Sequence, residues 1–203
     1  MIRGLFEHGF DQIIVVDDGS TDNTLEESIL AGAKVIKHKI NRGQGAALET
    51  GDEYARQINA ELVVHFDGDG QFYPEDIKIG IKKLSNENLD IIFGSRFMDQ
   101  RSDIPWFKKV ILLQVARWIN FVFTGLLLTD AHNGFRILSS RALNSINLSQ
   151  DRMAHNTEIL NITKKLGLKY SEIPVRVKYD RYGQGVYGGI KILYELLIGF
   201  FAK

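Results

Sequence analysis

Two carboxylates and an amide at alternate positions, in Asp67-Gly68-Asp69-Gly70-Gln71, follow directly on the apolar run Leu62 to Phe66. In extended backbone alternate residues share a face, so Asp67, Asp69 and Gln71 can point the same way where a strand runs out. Clustered oxygen ligands suit a hard divalent cation, Mg2+ or Mn2+, which completes its shell with substrate phosphates. The chemistry suggested is that of an enzyme acting on a nucleotide diphosphate. A plain turn is the structural alternative, since Asp and Gly are ordinary turn formers. An EF-hand is excluded: counting from Asp67, the sixth and twelfth places hold Phe72 and Lys78 instead of Gly and Glu.

Two further segments carry polar groups of the same kind. Val15-Val16-Asp17-Asp18-Gly19-Ser20 is an apolar strand entering a tight turn. There an Asp can accept from a nucleobase imide or a ribose hydroxyl, or can cap the turn. Asn41-Arg42-Gly43-Gln44-Gly45 opens an Ala-rich segment and could hold phosphate through backbone N–H groups and Arg42. It lacks the third glycine of a dinucleotide fingerprint and the Gly-Lys-Ser/Thr of a P-loop, which disfavours a dehydrogenase or kinase.

The elements that must position these groups alternate. Ile13 to Asp17, Lys34 to His38, Leu62 to Phe66 and Asp90 to Gly94 read as strands, with helices at Asp22 to Ala31, Gly45 to Asn59 and Pro74 to Leu84 between them. That order predicts an α/β, Rossmann-like, mainly parallel sheet flanked by helices. Thr21 or Asp22 is placed to cap the first of these helices, and Pro74 to open the third. Beyond Gly94 the pattern gives a long apolar helix from about Ile104 to Thr124 and an irregular stretch to Arg136. A short helix near Arg141, a helix from Asn156 to Lys165 and strands at Lys169 to Ile173 and Val175 to Lys178 follow. Ligands of such sheets sit beyond the carboxyl ends of strands, where Asp17-Asp18, Asp67-Gly68-Asp69 and Ser95-Arg96 all fall.

Composition narrows the class. The 203 residues carry 25 basic and 25 acidic side chains, so no global field attracts nucleic acid. Cysteine is absent, which removes disulfides and thiolate chemistry and fits a reducing compartment. No secretory signal or clean membrane span is visible, so a cytoplasmic protein is expected. Trp106, Phe107, Lys108 and Lys109 leave room for peripheral contact with a membrane face.

Taken together, Val-Val-Asp-Asp-Gly-Ser-Thr-Asp-Asn-Thr from Val15, Asn41-Arg-Gly-Gln-Gly, Asp67-Gly-Asp-Gly-Gln, Gly94-Ser-Arg-Phe and Asn133-Gly-Phe-Arg resemble family 2 glycosyltransferases of GT-A fold. Within that family the chain is most similar to the polyprenyl-phosphate branch, of the dolichol-phosphate mannose synthase type. The resemblance runs from Asp11 to about Tyr187 and implies one catalytic domain over residues 1–203. It places Asp17 and Asp18 near the donor base and ribose, with Arg42, Asp67 and Arg181 also on the donor. Asp69 and Gln71 join Asp67 as ligands of Mg2+ or Mn2+, with Asp69 also a catalytic candidate. Arg96 and Arg136 would bind an acceptor phosphate.

The implied reaction is an inverting transfer of a sugar from a UDP- or GDP-linked donor to a polyprenyl phosphate. The alternatives are a glycan hydroxyl acceptor, with Glu158 or Asp130 as base, and a non-catalytic nucleotide-binding remnant. Glu158 also reads as a helix-start acid, His155 as structural or surface, and His65 as packed within its strand. The family's opening strand and its Asn-Glu turn have no counterpart here, because Met1-Ile-Arg-Gly-Leu-Phe reads as already inside the first helix. The expectation is therefore a sheet lacking a central strand. At the other end Val186-Tyr187 stand where the family pattern continues with Ser-Lys.

Overall fold

A computed structural model describes residues 1–98, 117–118, 121–122 and 125–178. Its elements are α1 (Ile2–Glu7), β1 (Ile14–Asp17), α2 (Thr24–Leu30), β2 (Lys34–Lys37), α3 (Gln44–Gln57), β3 (Leu62–His65), α4 (Glu75–Asn86), β4 (Ile91–Ser95), β5 (Arg136–Ser139), α5 (Ser140–Ser145), α6 (His155–Lys165) and β6 (Tyr170–Pro174). The expected strands and helices occur within a few residues of their predicted ends. The N-cap of α2 is Asn23, without a side-chain capping bond, and not Thr21 or Asp22; Asp22, one residue earlier, accepts from the Thr24 amide at 3.0 Å and its hydroxyl at 2.5 Å. Pro74 stands one position before the first turn of α4, and Glu75 and Asp76 lie within that turn.

The strands form two sheets. β1 and β2 pair in parallel, while the second sheet has the order β3-β5-β4-β6. Only β5 is reversed in the second sheet: it is antiparallel to β3 and β4, and β4 is parallel to β6. Helix α3 touches both β1 and β3, so one helix bridges the two sheets, each of which has its own edge strands.

Two expectations are corrected. Between the irregular stretch expected up to Arg136 and the helix expected near Arg141, Arg136–Ser139 is an unpredicted strand in the middle of the larger sheet. Four residues that begin with Arg offer little periodicity, and their pairing partners lie far along the chain. Val175 to Lys178 is not a full strand. Val177 makes an isolated antiparallel bridge to Phe72, while the Val175 and Lys178 amides donate to Ser95 O and Gln71 O at 2.9 Å each.

Strand β4 is buried along its whole length because both faces of the sheet are covered. On one face Ile91, Phe93 and Leu138 pack with Ile159 and Leu160 of α6 and Ala142 of α5. On the other, Ile92, Phe135, Ile137 and Ile173 pack with Ile77 and Leu84 of α4. The alternation of β4 and β5 side chains between these clusters holds the strand ends in register beneath the polar loops. Phe66, Phe72 and Phe135 form an edge-to-face trio with centroids 5.7 to 6.2 Å apart, anchoring the segment on either side of Asp67-Gly68-Asp69. No helix of the described residues is long and apolar enough to cross a membrane. The predicted Ile104 to Thr124 helix lies mainly outside the described residues, as does the loop that contains Arg181.

Candidate active site

Asp67 leaves the end of β3 half-buried, while Asp69 and Gln71 are exposed beyond it. The Asp67 carboxylate accepts from Gln44 Nε2 at 3.1 Å, and its other wall is the backbone of Gly134. A Cβ on Gly134 would lie 2.0 Å from Asp67 Oδ2, so only glycine permits this approach. Asp69 Oδ1 accepts from the Gln71 amide at 2.9 Å, closing an Asx turn at the exposed tip of the loop. Burial, with the neighbouring Asp69 charge, pushes the Asp67 carboxyl up from its ordinary value, against the pull of Arg136 and His65.

Among the described residues no cationic side chain forms an ion pair with Asp67 or Asp69. No group of three or more His, Cys, Asp or Glu side chains there could hold a metal by itself. Two crowded carboxylates and an adjacent amide nevertheless fit Mg2+ or Mn2+, which leave the rest of their shell to water and phosphate.

The Asp17-Asp18 turn is built differently. Asp17, at the buried end of β1, accepts from the Ser20 amide at 2.8 Å, and Lys37 Nζ stands 3.8 Å from its other oxygen. Bonds from the Ser20 hydroxyl and amide hold its carboxyl below the ordinary range. Asp18 accepts from the amides of Arg42 and Gly43 at 2.9 and 2.6 Å and contacts His38 Nδ1 at 2.7 Å. His38 Nε2 is in turn 2.9 Å from Thr50 Oγ1. Desolvation works against ionisation of Asp18, and these bonds outweigh it, leaving the carboxyl below its ordinary value.

The cradle expected at Asn41 to Gly45 is therefore corrected: the Arg42 and Gly43 amides serve Asp18, and the Ala46 amide donates to Asp151 O at 3.1 Å. The Gln150-Asp151 backbone lies across the start of α3, where a Cβ on Gly45 would meet Gln150 O at 1.9 Å. What Arg42 can offer an anion is its half-exposed guanidinium, 3.4 Å from Asp151. It helps line a cleft of about 570 Å3 with Ile40, Asn41, Gln150 and Arg152.

The remaining candidates are held firmly. Arg96 grips Asp130 through Nε at 2.6 Å, Nη2 at 2.7 Å and its amide at 3.1 Å, and Asn133 adds a bond at 3.0 Å. Glu158 accepts from the Ser149 hydroxyl and amide and, at 2.9 Å, from the Gln150 amide, so it clamps the loop over α3. Neither Asp130 nor Glu158 is an unengaged base. Arg136 is enclosed, with Nη2 donating to Asn156 Oδ1, and burial depresses it to about 10 against the attraction of Asp67, Asp52 and Asp130. It does not reach the surface where an acceptor phosphate would bind. His155 is buried rather than at the surface, with Nδ1 2.8 Å from Arg152 O, and burial lowers its pKa.

Asp67 and Asp69 thus act on each other's charge beyond β3, Gln71 is tied to Asp69 through its backbone amide, and Gln44 links Asp67 to the Asp18 turn. Through Gly134 and Asn133, Asp67 is linked to the Arg96–Asp130 pair. Sequence reading missed Asp52, which meets His65 Nε2 at 2.9 Å, and Glu172, which accepts from the Thr129 amide and hydroxyl at 2.8 Å. Both are tertiary pairings with no local signal. Gln44 stood inside a recognised motif and was the one legible omission.

Comparison with known proteins gives the family and the fold. The sequence profile of Glycosyl transferase family 2 matches residues 2–146. The UDP-N-acetylglucosamine–dolichyl-phosphate N-acetylglucosaminyltransferase of Methanococcus voltae is 34% identical over 98% of this chain and 88% of its own. A dolichyl-phosphate beta-glucosyltransferase of Trichomonas vaginalis is 28% identical over 92% and 60%. In fold, the chain is similar to glucosyl-3-phosphoglycerate synthase of Mycobacterium tuberculosis, with a TM-score of 0.69 at 20% identity over 92% of this chain and 68% of that one. A matching profile, similar relatives and a common architecture converge: the chain belongs to glycosyl transferase family 2, resembles its polyprenyl-phosphate members, and is a glycosyltransferase of GT-A fold.

Proposed function

We propose that this enzyme transfers a sugar from a nucleotide-diphosphate donor, UDP-linked in preference to GDP-linked, to a polyprenyl phosphate at the cytoplasmic face of a membrane. The observation that carries the reading is the Asp67–Asp69 pair, two neighbouring carboxylates beyond the end of β3 with no cationic side chain in ion-pair contact among the described residues. Mg2+ or Mn2+ held there by Asp67, Asp69 and Gln71 supplies positive charge to the departing diphosphate. Asp17 and Asp18 shape the wall for base and ribose, the latter by holding the Arg42 turn. The Arg42 guanidinium faces the anion, and Arg181 is proposed as a further donor contact. Arg96, fixed by Asp130, presents a set guanidinium to the acceptor.

An ionised phosphate acceptor needs no proton removed before it attacks the anomeric carbon in a single inverting displacement. This fits a crevice in which both candidate bases, Asp130 and Glu158, are occupied by hydrogen bonds. Relatives named for dolichyl-phosphate acceptors support the acceptor class, and structures of the mycobacterial synthase with Mn2+ and UDP-glucose support the donor and metal.

The test is nucleotide release from a panel of nucleotide sugars with Mn2+, with and without polyprenyl phosphate. Release should require the lipid phosphate and vanish in Asp69→Ala. Release driven by a glycan hydroxyl instead, and lost in Glu158→Gln, would overturn the acceptor assignment.

A further inference from the structure

Behind Asp67 lies a layer of buried polar groups that the transfer reaction as described does not use. His65 and Arg136 are register partners on β3 and β5, so both side chains leave the same face of the sheet. Asp67, two residues beyond His65, continues that side of the chain. On this face His65 Nε2 meets Asp52 of α3 at 2.9 Å, and Arg136 Nη2 donates to Asn156 of α6. Asp52 and Arg136 are each 1% exposed, Asn156 4% and His65 5%.

Asp52 Oδ2, His65 Nδ1, Arg136 Nε and Nη1, and His155 Nε2 have no protein hydrogen-bond partner, and they make up most of the buried side-chain atoms of that kind among the described residues. Interiors otherwise satisfy their polar groups, so such a concentration behind one loop calls for a reason. A tie between helix and strand does not need a guanidinium, whose burial is costly when it is not fully paired. The carboxylates acting on Arg136 are Asp67, Asp52 and Asp130, so its charge is shared between Asp67 and the buried acids.

We propose that Asp52, His65, Arg136 and Asn156 form a positioning layer that sets the affinity of the Asp67–Asp69 corner for a divalent cation. Arg136 places positive charge behind Asp67 and relieves the crowding of the two acids when no cation is bound. Asp52 draws part of that charge back, His65 fixes Asp52, and Asn156 fixes the far end of the guanidinium. The balance holds the cation while the diphosphate is present and lets it leave with product. This inference rests on the cation reading of Asp67 and Asp69.

The test is Mn2+ binding to the whole chain without nucleotide sugar, followed by the paramagnetic resonance of free Mn2+. Folding is checked by near-ultraviolet circular dichroism. Arg136→Met should bind Mn2+ more tightly and Asp52→Asn more weakly, each by roughly threefold or more, as expected for one buried charge at an intermediate effective dielectric. A merely structural layer would weaken binding in both. Shifts in the same direction, or none in folded variants, overturn the proposal. If Arg136→Met does not fold, Asp52→Asn is compared with the charge-conserving Asp52→Glu: weaker binding in the first beside near-wild-type binding in the second supports the layer, and equal shifts in both, or none, overturn it. A folded wild-type chain that binds no Mn2+ removes the cation reading and the layer together, whereas wild-type binding with unshifted variants removes only the layer.

Discussion

The Asp67–Asp69 corner and the Asp18 turn are both carboxylates at strand ends, yet they are solved in opposite ways. Asp18 is surrounded by donors, two amides and His38, and its carboxyl lies below the ordinary value. Asp67 has one neutral amide donor, a like charge beside it and a raised carboxyl. A carboxylate that completes its own bonding within the protein builds structure, whereas one left electrostatically unbalanced is available to a cation. Glu158 and Asp130 fall on the structural side of that division, although sequence reading offered both as bases.

The division is broken most directly at its active end. Asp69→Ala should lower sugar transfer roughly a hundredfold or more, since charge stabilisation by a bound metal is worth several kcal/mol. Thermal stability should hardly change, because Asp69 is exposed. Asp67→Asn should abolish transfer as well while raising the melting temperature, a combination that calorimetry beside the transfer assay would register. A loss of stability in Asp67→Asn would contradict the contrast.

At the structural end, Asp18→Ala removes charge-assisted bonds to Arg42 and Gly43, and urea unfolding should show a loss of about 2 kcal/mol. Glu158→Gln should cost about 1 kcal/mol, through the Ser149 and Gln150 clamp, and leave kcat within a fewfold range. A large fall in kcat with the fold intact would instead restore Glu158 as a base.

The smallest effect is in acid. The Asp17 and Asp18 carboxyls lie below their ordinary 3.8, so their contribution is present above that value and is lost as pH falls through the folded-state values. Asp67 has the opposite sign: its raised carboxyl makes the fold lose stability as pH rises from 3.8 through the folded value. Stability-pH curves of Asp18→Asn and Asp67→Asn should therefore separate from wild type in opposite directions.

Strands β1 to β4 were readable from their apolar, β-branched runs, and helices α2 to α4 from the segments between them. The motif at Asp67 was readable because alternation places its acids together over three residues. Strand β5 was not, since Arg136–Ser139 becomes a central strand only through partners Leu62–His65 and Ile91–Phe93. The same holds for Asp52 with His65 and Glu172 with Thr129, which are 13 and 43 residues apart.

Residue order by itself determined the family, the alternating architecture and the acidic corner, because these depend on periodicity and short spacing. Only tertiary structure decided which carboxylates are occupied and which remain available, and that Arg136 lies beneath the site instead of facing an acceptor. The reason is physical: the character of an ionisable side chain is set by burial and by the donors brought to it, and those donors arrive from distant parts of the chain.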